Sequence, residues 1–297
     1  MMSIVRAIGR WIGPVLMLAL IGVFFLGLNG PHPARVGVWM GFQALLPLLG
    51  AIVLVATLVR AGLTRRVFTP SLLAGFVLGL AGIAFIGIGL LRYPAAVETT
   101  TPAATVRVPM DGPVLVGWGG DTVKANYHAA YPDQRWAYDL VVEPAFTGSD
   151  RLEDYGCFGV PVLAPADGVV VRAHDGEPDQ PPGEATASDP ISGNSVAIRL
   201  PETGTHIEIA HLKRGSVAVA AGDAVTAGQV IGACGNSGNT SEPHVHIHHQ
   251  REAPGEVPEG FAEGLPLYFE SPDGPIMPEG GFDEDGTPTG AVISHKG

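Results

Sequence analysis

Gly235-Asn236-Ser237-Gly238-Asn239-Thr240-Ser241-Glu242-Pro243-His244-Val245-His246 joins a Gly- and Asn-rich turn to an alternating run that continues into Ile247. Alternation of period two marks a β-strand. Side chains two apart on a strand project from one face, so His244 and His246 can reach one point in space. Imidazole is the commonest protein ligand for zinc, and two convergent imidazoles supply half of a metal site. A His-X-His pair alone is a weak signal; here it follows a Gly-rich turn and closes a domain with further candidate ligands upstream.

Upstream of it, short β-branched runs are broken by Gly, Pro, Asn and Asp: Val106-Arg107-Val108, Val114-Leu115-Val116, Ala137–Val142, Gly168–Ala173, Ser195–Leu200, His206–His211 and Gly228–Gly232. This spacing predicts an antiparallel all-β domain over residues 106–270, with no amphipathic helix inside it. Residues 177–190 are polar and Pro-rich between two strands, which predicts a long hairpin connection. Residues 93–105 read as a linker. The acidic, Gly- and Pro-rich tail, 271–297, is expected to be disordered.

The first third of the 297-residue chain has a different character. No Asp or Glu precedes Glu98, while Arg6, Arg10, Arg35, Arg60, Arg65, Arg66 and Arg92 all lie before it. From Glu98 onward ten basic residues face twenty-nine acidic ones, a balance that repels nucleic acid. Trp11–Gly30, Val36–Val59 and Pro70–Leu91 are long apolar stretches without a charged side chain. Each has the span of about 20 residues that a bilayer core requires. The first is too long for a signal-peptide core and lacks a small-X-small cleavage site near Asn29-Gly30-Pro31. A soluble bundle would need polar helix faces, which are missing. Residues 1–92 are therefore expected to be a three-helix transmembrane segment in the cell membrane. With a cytoplasmic N-terminus, Arg6, Arg10, Arg60, Arg65 and Arg66 are inside and Arg35 and Arg92 outside, as the positive-inside bias favours. Three crossings then put the β domain in the periplasm or outside the cell. Cys157 and Cys234 both lie there; a disulfide and two buried thiols are equally open readings.

Asp139 lies within the run Arg135-Trp136-Ala137-Tyr138-Asp139-Leu140-Val141-Val142. A carboxylate inside an apolar strand pattern is costly unless paired or bound to a metal, so Asp139 joins His246 as a candidate ligand. At this point several motifs accumulate in order: Gly159-Val160-Pro161-Val162 with Ala164-Pro165-Ala166-Asp167-Gly168-Val169-Val170, then Gly193-Asn194-Ser195-Val196, Ala210-His211-Leu212, Val219-Ala220-Ala221-Gly222-Asp223-Ala224-Val225, Gly228-Gln229-Val230-Ile231-Gly232, Gly235-Asn236-Ser237-Gly238 and Pro243-His244-Val245-His246. Together they cover most of Gly112 to Phe269, and the domain resembles the lysostaphin-type (LytM-like) zinc metallopeptidases, which cleave cell-wall peptides. The resemblance implies an all-β, barrel-sandwich catalytic domain and one zinc per chain. It implies zinc on Asp139 and His246, with His211 and His244 as unligated catalytic histidines. Read alone, His211 is a strand-end histidine satisfied by backbone.

One position departs from the family pattern. Its first zinc-binding histidine falls four residues before the aspartate, where this chain has Arg135. Arginine has no free lone pair and cannot ligate zinc. His128, in Ala125-Asn126-Tyr127-His128, is the replacement expected, and Arg135 is left to pair with Asp139 or a substrate carboxylate. His174, His206, Glu208, Asp167 and Glu242 read as surface, strand-end or turn residues; His248, on the face of His244 and His246, reads as a solvated strand end, with contact to substrate or support of a metal ligand as the alternative. The expected activity is a membrane-anchored zinc metalloendopeptidase acting on peptidoglycan cross-links or stem peptides. The alternative is a catalytically inactive LytM-like domain that binds peptidoglycan or activates another hydrolase. A biotinyl or lipoyl carrier is disfavoured because Lys213 lacks flanking methionines.

Overall fold

Stretches with apolar side chains all round satisfy their backbone polar groups most simply as helices, and the three apolar stretches do so. The computed structural model describes residues 9–65, 68–183 and 190–295. These divide into two units, Met1–Pro94 and Ala95–Gly297. Arg6, Arg66 and residues 184–189 of the expected hairpin connection lie outside the described residues.

In the first unit, α1 runs over Ile12–Gly27, α2 over Ala34–Thr64 and α3 over Pro70–Ala84, followed by a 3-10 turn at Phe85–Leu90. Thr69 caps α3, its hydroxyl accepting from the Leu72 N–H, and Pro70 occupies the first turn, where its missing N–H costs nothing. Close packing of α2 on α3 depends on missing side chains: a Cβ on Gly50 would come 2.7 Å from the Gly79 carbonyl oxygen. At one end the Arg60 guanidinium donates to the Arg10 carbonyl at 3.3 Å and to Ser71 Oγ at 3.0 Å. Leu26, Leu48, Ile52, Val55 and Val77 face outward and exposed. Three apolar helices therefore form where three were expected. Ala34–Thr64 and Pro70–Gly87 are long and apolar enough to cross a bilayer, while α1, with 16 residues, falls short of the usual span.

The second unit is a β domain. Its strands are β1 (Ala104–Val106), β2 (Val114–Trp118), β3 (Tyr138–Val141), β4 (Pro161–Leu163), β5 (Gly168–His174), β6 (Asn194–Arg199) and β7 (His206–Leu212). They continue with β8 (Ala224–Val225), β9 (Val230–Ala233), β10 (Val245–Gln250), β11 (Gly264–Leu265), β12 (Leu267–Phe269) and β13 (Val292–Ile293). The main sheet is antiparallel in the order β13-β2-β3-β10-β7-β6-β5-β8, with β11 also on β10; β4 pairs with β9. The exception to antiparallel pairing is β1, which runs parallel to β12. Among the described residues the helical segments of this unit are short 3-10 turns.

Register separates the two faces of the sheet. Val116, Leu140, Val245, Ile247, Ile209, Ile207, Val196, Ile198 and Val170 pair across strands and form the core. The alternate positions put Asp139, His246, His248, Gln250, Glu208 and Arg172 on the opposite face. Burying one face and loading the other with polar groups fixes the register, since a one-residue slip would exchange them.

Two expectations require correction. Residues 271–295 are structured: Val292 and Ile293 pair with Leu115 and Val114, Gly281 N–H donates to the Gly117 carbonyl at 2.7 Å, and Ala291 N–H to that of Glu279 at 2.9 Å. The tail has no apolar periodicity because its order comes from backbone pairing along β2, not from a core of its own. The linker is likewise shorter, since Ala104 and Thr105 belong to β1.

Cys157 and Cys234 are joined in a disulfide that closes a separation of 77 residues. Loop-closure entropy puts its contribution at roughly 2–5 kcal/mol. Replacing both cysteines by serine should lower the urea midpoint of the full chain accordingly, and dithiothreitol should lower the wild type to the same value; unchanged midpoints would count against this role.

Candidate metal centre

The antiparallel register of β3 and β10 sets Asp139 directly opposite His246. Their side chains meet, with His246 Nδ1 2.9 Å from Asp139 Oδ1. His128 arrives from the 3-10 turn Tyr127–Ala130, its Nε2 3.5 Å from Asp139 Oδ2. One ligand atom from each of His128, Asp139 and His246 lies within 4.8 Å of the others, and all three residues are buried. The structure thus brings the three expected ligands together.

The other ring nitrogens decide which tautomer each imidazole adopts. Asn126 donates through Nδ2 to the carbonyls of Gly120 and Ala137, so its Oδ1 must accept. It accepts from the His128 backbone N–H at 3.1 Å and from His128 Nδ1 at 3.0 Å. The proton is therefore on Nδ1, and the Nε2 lone pair faces Asp139. On β10, His246 Nε2 lies 3.0 Å from His248 Nδ1, and His248 Nε2 2.9 Å from Gln250 Oε1. Gln250 Nε2 donates onward to the Glu252 carbonyl at 2.8 Å. Donation along that line leaves His246 Nδ1 free as a ligand. Such outer partners orient metal-binding histidines and raise their basicity.

His211 and His244 flank the triad with ring centroids 4.8 Å apart. His211 Nδ1 donates to the Ser237 carbonyl at 2.8 Å and His244 Nδ1 to that of Glu242 at 2.7 Å, leaving both Nε2 atoms available. His244 Nε2 lies 3.5 Å from Asp139 Oδ1. His211 holds a left-handed backbone, φ 60°, which an L-residue adopts at a cost of order 1–3 kcal/mol.

Burial and charge push these groups apart. Burial lowers His128 to about 3 against the attraction of Asp139, keeping it neutral as a ligand must be. Burial and the neighbouring His244 and His246 hold His211 well below the ordinary imidazole range. Burial opposes ionisation of Asp139, but the surrounding histidines outweigh it and keep the carboxylate charged. Burial also opposes protonation of His244, and Asp139 with Glu242 overcomes it and raises the pKa. Two imidazoles whose pKa values are pushed in opposite directions are the division of labour that acid–base chemistry requires.

Arg135 lies elsewhere. Its side chain is fully buried, 2.6 Å from Asp121 Oδ1, with the guanidinium stacked 4.7 Å from the Trp136 ring centroid; Trp136 Nε1 donates to the same carboxylate. It pairs with Asp121 instead of Asp139. His248, read as a strand end, is a buried partner of His246, and Glu208, read as a surface residue, is buried against Arg172. The contact favours the alternative reading of His248, and its signal is the run His244, His246, His248, Gln250 on one face of one strand.

The donors fit a divalent metal: two imidazoles and an ionised carboxylate, with tautomers fixed from outside. Zinc takes such N and O ligands in hydrolytic sites. Residues 153–256 match the family model described as Peptidase family M23. The matched segment lies within the second unit and supports the resemblance to the lysostaphin-type, LytM-like family. His211, His244 and His246 fall within the match, and His128 and Asp139 upstream of it. Among solved structures, the chain is similar to the catalytic domain of the antimicrobial peptidase lysostaphin from Staphylococcus simulans, at 22% identity and TM-score 0.31, covering 51% of this chain and 86% of that one. It is similar to a zinc containing peptidase from Vibrio cholerae at 21% identity and TM-score 0.27, covering 38% and 26%. LytU matches at 28% identity and TM-score 0.27, covering 36% and 62%. Scores this low leave the site to be read from its own geometry. No curated protein matches the chain.

Zinc content tests the donor set. The purified chain should bind one zinc, lost in His128→Ala, Asp139→Ala and His246→Ala, with Asn126→Ala and His248→Ala weakening affinity roughly 10–100-fold. Arg135→Met should lower the melting midpoint yet retain the metal. Zinc held by His128→Ala would exclude His128 as a ligand.

Proposed function

We propose that the C-terminal unit is a zinc metalloendopeptidase that hydrolyses peptide bonds of peptidoglycan, in cross-links or stem peptides. The observation that carries this reading is the meeting of His128, Asp139 and His246 in one pocket with two further imidazoles, His211 and His244, whose Nε2 atoms are unengaged by backbone. Zinc held there would polarise the scissile carbonyl and draw the pKa of a water toward about 7. His211, neutral and anchored through Nδ1, accepts the proton of the attacking water at Nε2. His244, whose pKa Asp139 and Glu242 raise, stabilises the developing oxyanion and in its protonated form can return a proton to the leaving amine. The Ser237 and Glu242 carbonyls hold the two rings in place for these roles.

The apolar helices support anchoring in the cell membrane. With Arg10, Arg60 and Arg65 on the cytoplasmic side, an odd number of crossings delivers the peptidase unit to the periplasm or the cell exterior, where peptidoglycan lies. The disulfide suits that oxidising side. A second reading, a peptidoglycan-binding domain without catalysis, draws on Arg135 at the family's first-histidine position.

Hydrolysis of purified peptidoglycan, followed by release of new amino termini, separates the two. The wild type should be active, chelation should abolish activity, and His211→Ala and His244→Ala should each lower kcat about 10²–10⁴-fold while retaining zinc. A zinc-loaded wild type that releases no amino termini would overturn the enzyme reading.

A further inference from the structure

Trp118 is the register partner of Asp139 across β2 and β3, so its side chain leaves the same face of the sheet as the ligand carboxylate, from a backbone position one strand spacing, about 5 Å, away. From there a line of aromatic rings leads away from the metal centre. Tyr127, whose hydroxyl donates to Asp139 Oδ2 at 3.2 Å, lies 5.2 Å from Trp118 between centroids. Phe282 lies 4.9 Å from Trp118 on the other side, and Phe146 4.9 Å beyond Phe282. Tyr127 is exposed and the other three are half-buried; none belongs to the core cluster.

Two features hold this row in place at some cost. Phe146 has φ 53°, a left-handed conformation that a bulky residue adopts only when its surroundings impose it, and its N–H donates to Glu242 beside His244. Phe282 is delivered by the C-terminal tail, in a turn where Asp283 Oδ1 accepts from the N–H groups of Asp285 at 3.0 Å and Thr287 at 2.8 Å. Asp283, Glu284 and Asp285 follow Phe282 and are all exposed. Trp118, Phe146 and Phe282 all lie outside the residues matched by the family model.

We propose that Trp118, Phe282 and Phe146, with the carboxylates after Phe282, form a saccharide subsite that takes a pyranose ring of the glycan strand carrying the scissile peptide. An aromatic face is electronegative and accepts the C–H groups on the flat side of a pyranose, while carboxylates accept from its hydroxyls. A polyanion would be repelled by Asp283, Glu284 and Asp285, and a purely apolar occupant would use none of them. The choice of a glycan rests on the cell-wall reading above, and continuity with Asp139 places the ring beside the bond to be cut.

The test is binding of chitotetraose, a peptide-free N-acetylglucosamine oligomer, to the full chain in a sugar-free detergent, by calorimetry. The wild type should bind, with Trp118→Ala and Phe282→Ala each weakening affinity on the order of tenfold and Phe282→Tyr restoring it. If Trp118→Ala fails to fold, Phe282→Ala at an unchanged melting midpoint decides. A glycan-free peptide is assayed in parallel. A wild type that cleaves this peptide but does not bind chitotetraose, or variants that bind it as the wild type does, overturns the subsite alone. A wild type that binds the sugar through these residues but cleaves nothing overturns the peptidase reading and leaves the subsite standing.

Discussion

Everything in the β domain turns on one cross-strand pair, Asp139 opposite His246. A carboxylate buried without partners would cost several kcal/mol. Here the imidazoles of His128, His244 and His246 compensate it, so the charge is affordable only while three separate segments hold their places. The strand that makes this possible is β10, which carries His246 on one face and Val245 and Ile247 on the other. Hydrophobic burial of the second face fixes where the histidines of the first must stand. Ordinary core packing is thereby converted into ångström-scale placement of ligand atoms.

Four imidazoles within one pocket would be interchangeable if nothing distinguished them. What separates them is the acceptor behind each ring. Asn126 commits His128 to a free Nε2, while His248 commits His246 to a free Nδ1. The Ser237 and Glu242 carbonyls leave His211 and His244 each with an open nitrogen, while burial lowers the pKa of His211 and the charges of Asp139 and Glu242 raise that of His244. The turn Gly235–His244 therefore does more than connect two strands: its carbonyls set the chemistry of both unligated histidines.

Much of this was legible in the sequence, for physical reasons. Period-two alternation with β-branched residues marked β2, β3, β5, β6, β7 and β10, and unbroken apolar runs marked the three helices. Asp139 stood out because charge inside an apolar strand needs an explanation. The convergence of His128 was harder, since an eleven-residue approach through a 3-10 turn has no period; only the impossibility of arginine as a ligand pointed to it. The burial of Glu208 and the partnership of Arg135 with Asp121 were illegible because they depend on contacts made at long range. The tail misled for a similar reason. Its strand is two residues long, and a sequence that takes its order from a neighbour's backbone carries no apolar pattern of its own.

That same short strand has a consequence for how copies of the protein behave toward each other. The main sheet ends in β13 on one side and β8 on the other, each two residues long. An open edge of β2 or β5 would present a longer row of unpaired N–H and C=O groups, a template on which a second chain could continue the ladder. These stubs already pair Val114 and Leu115 on one edge and Gly168 and Val169 on the other, which shortens the ladder a neighbour could extend. Protection from edge-to-edge aggregation thus depends on Val292 and Ile293 as much as on the sheet itself.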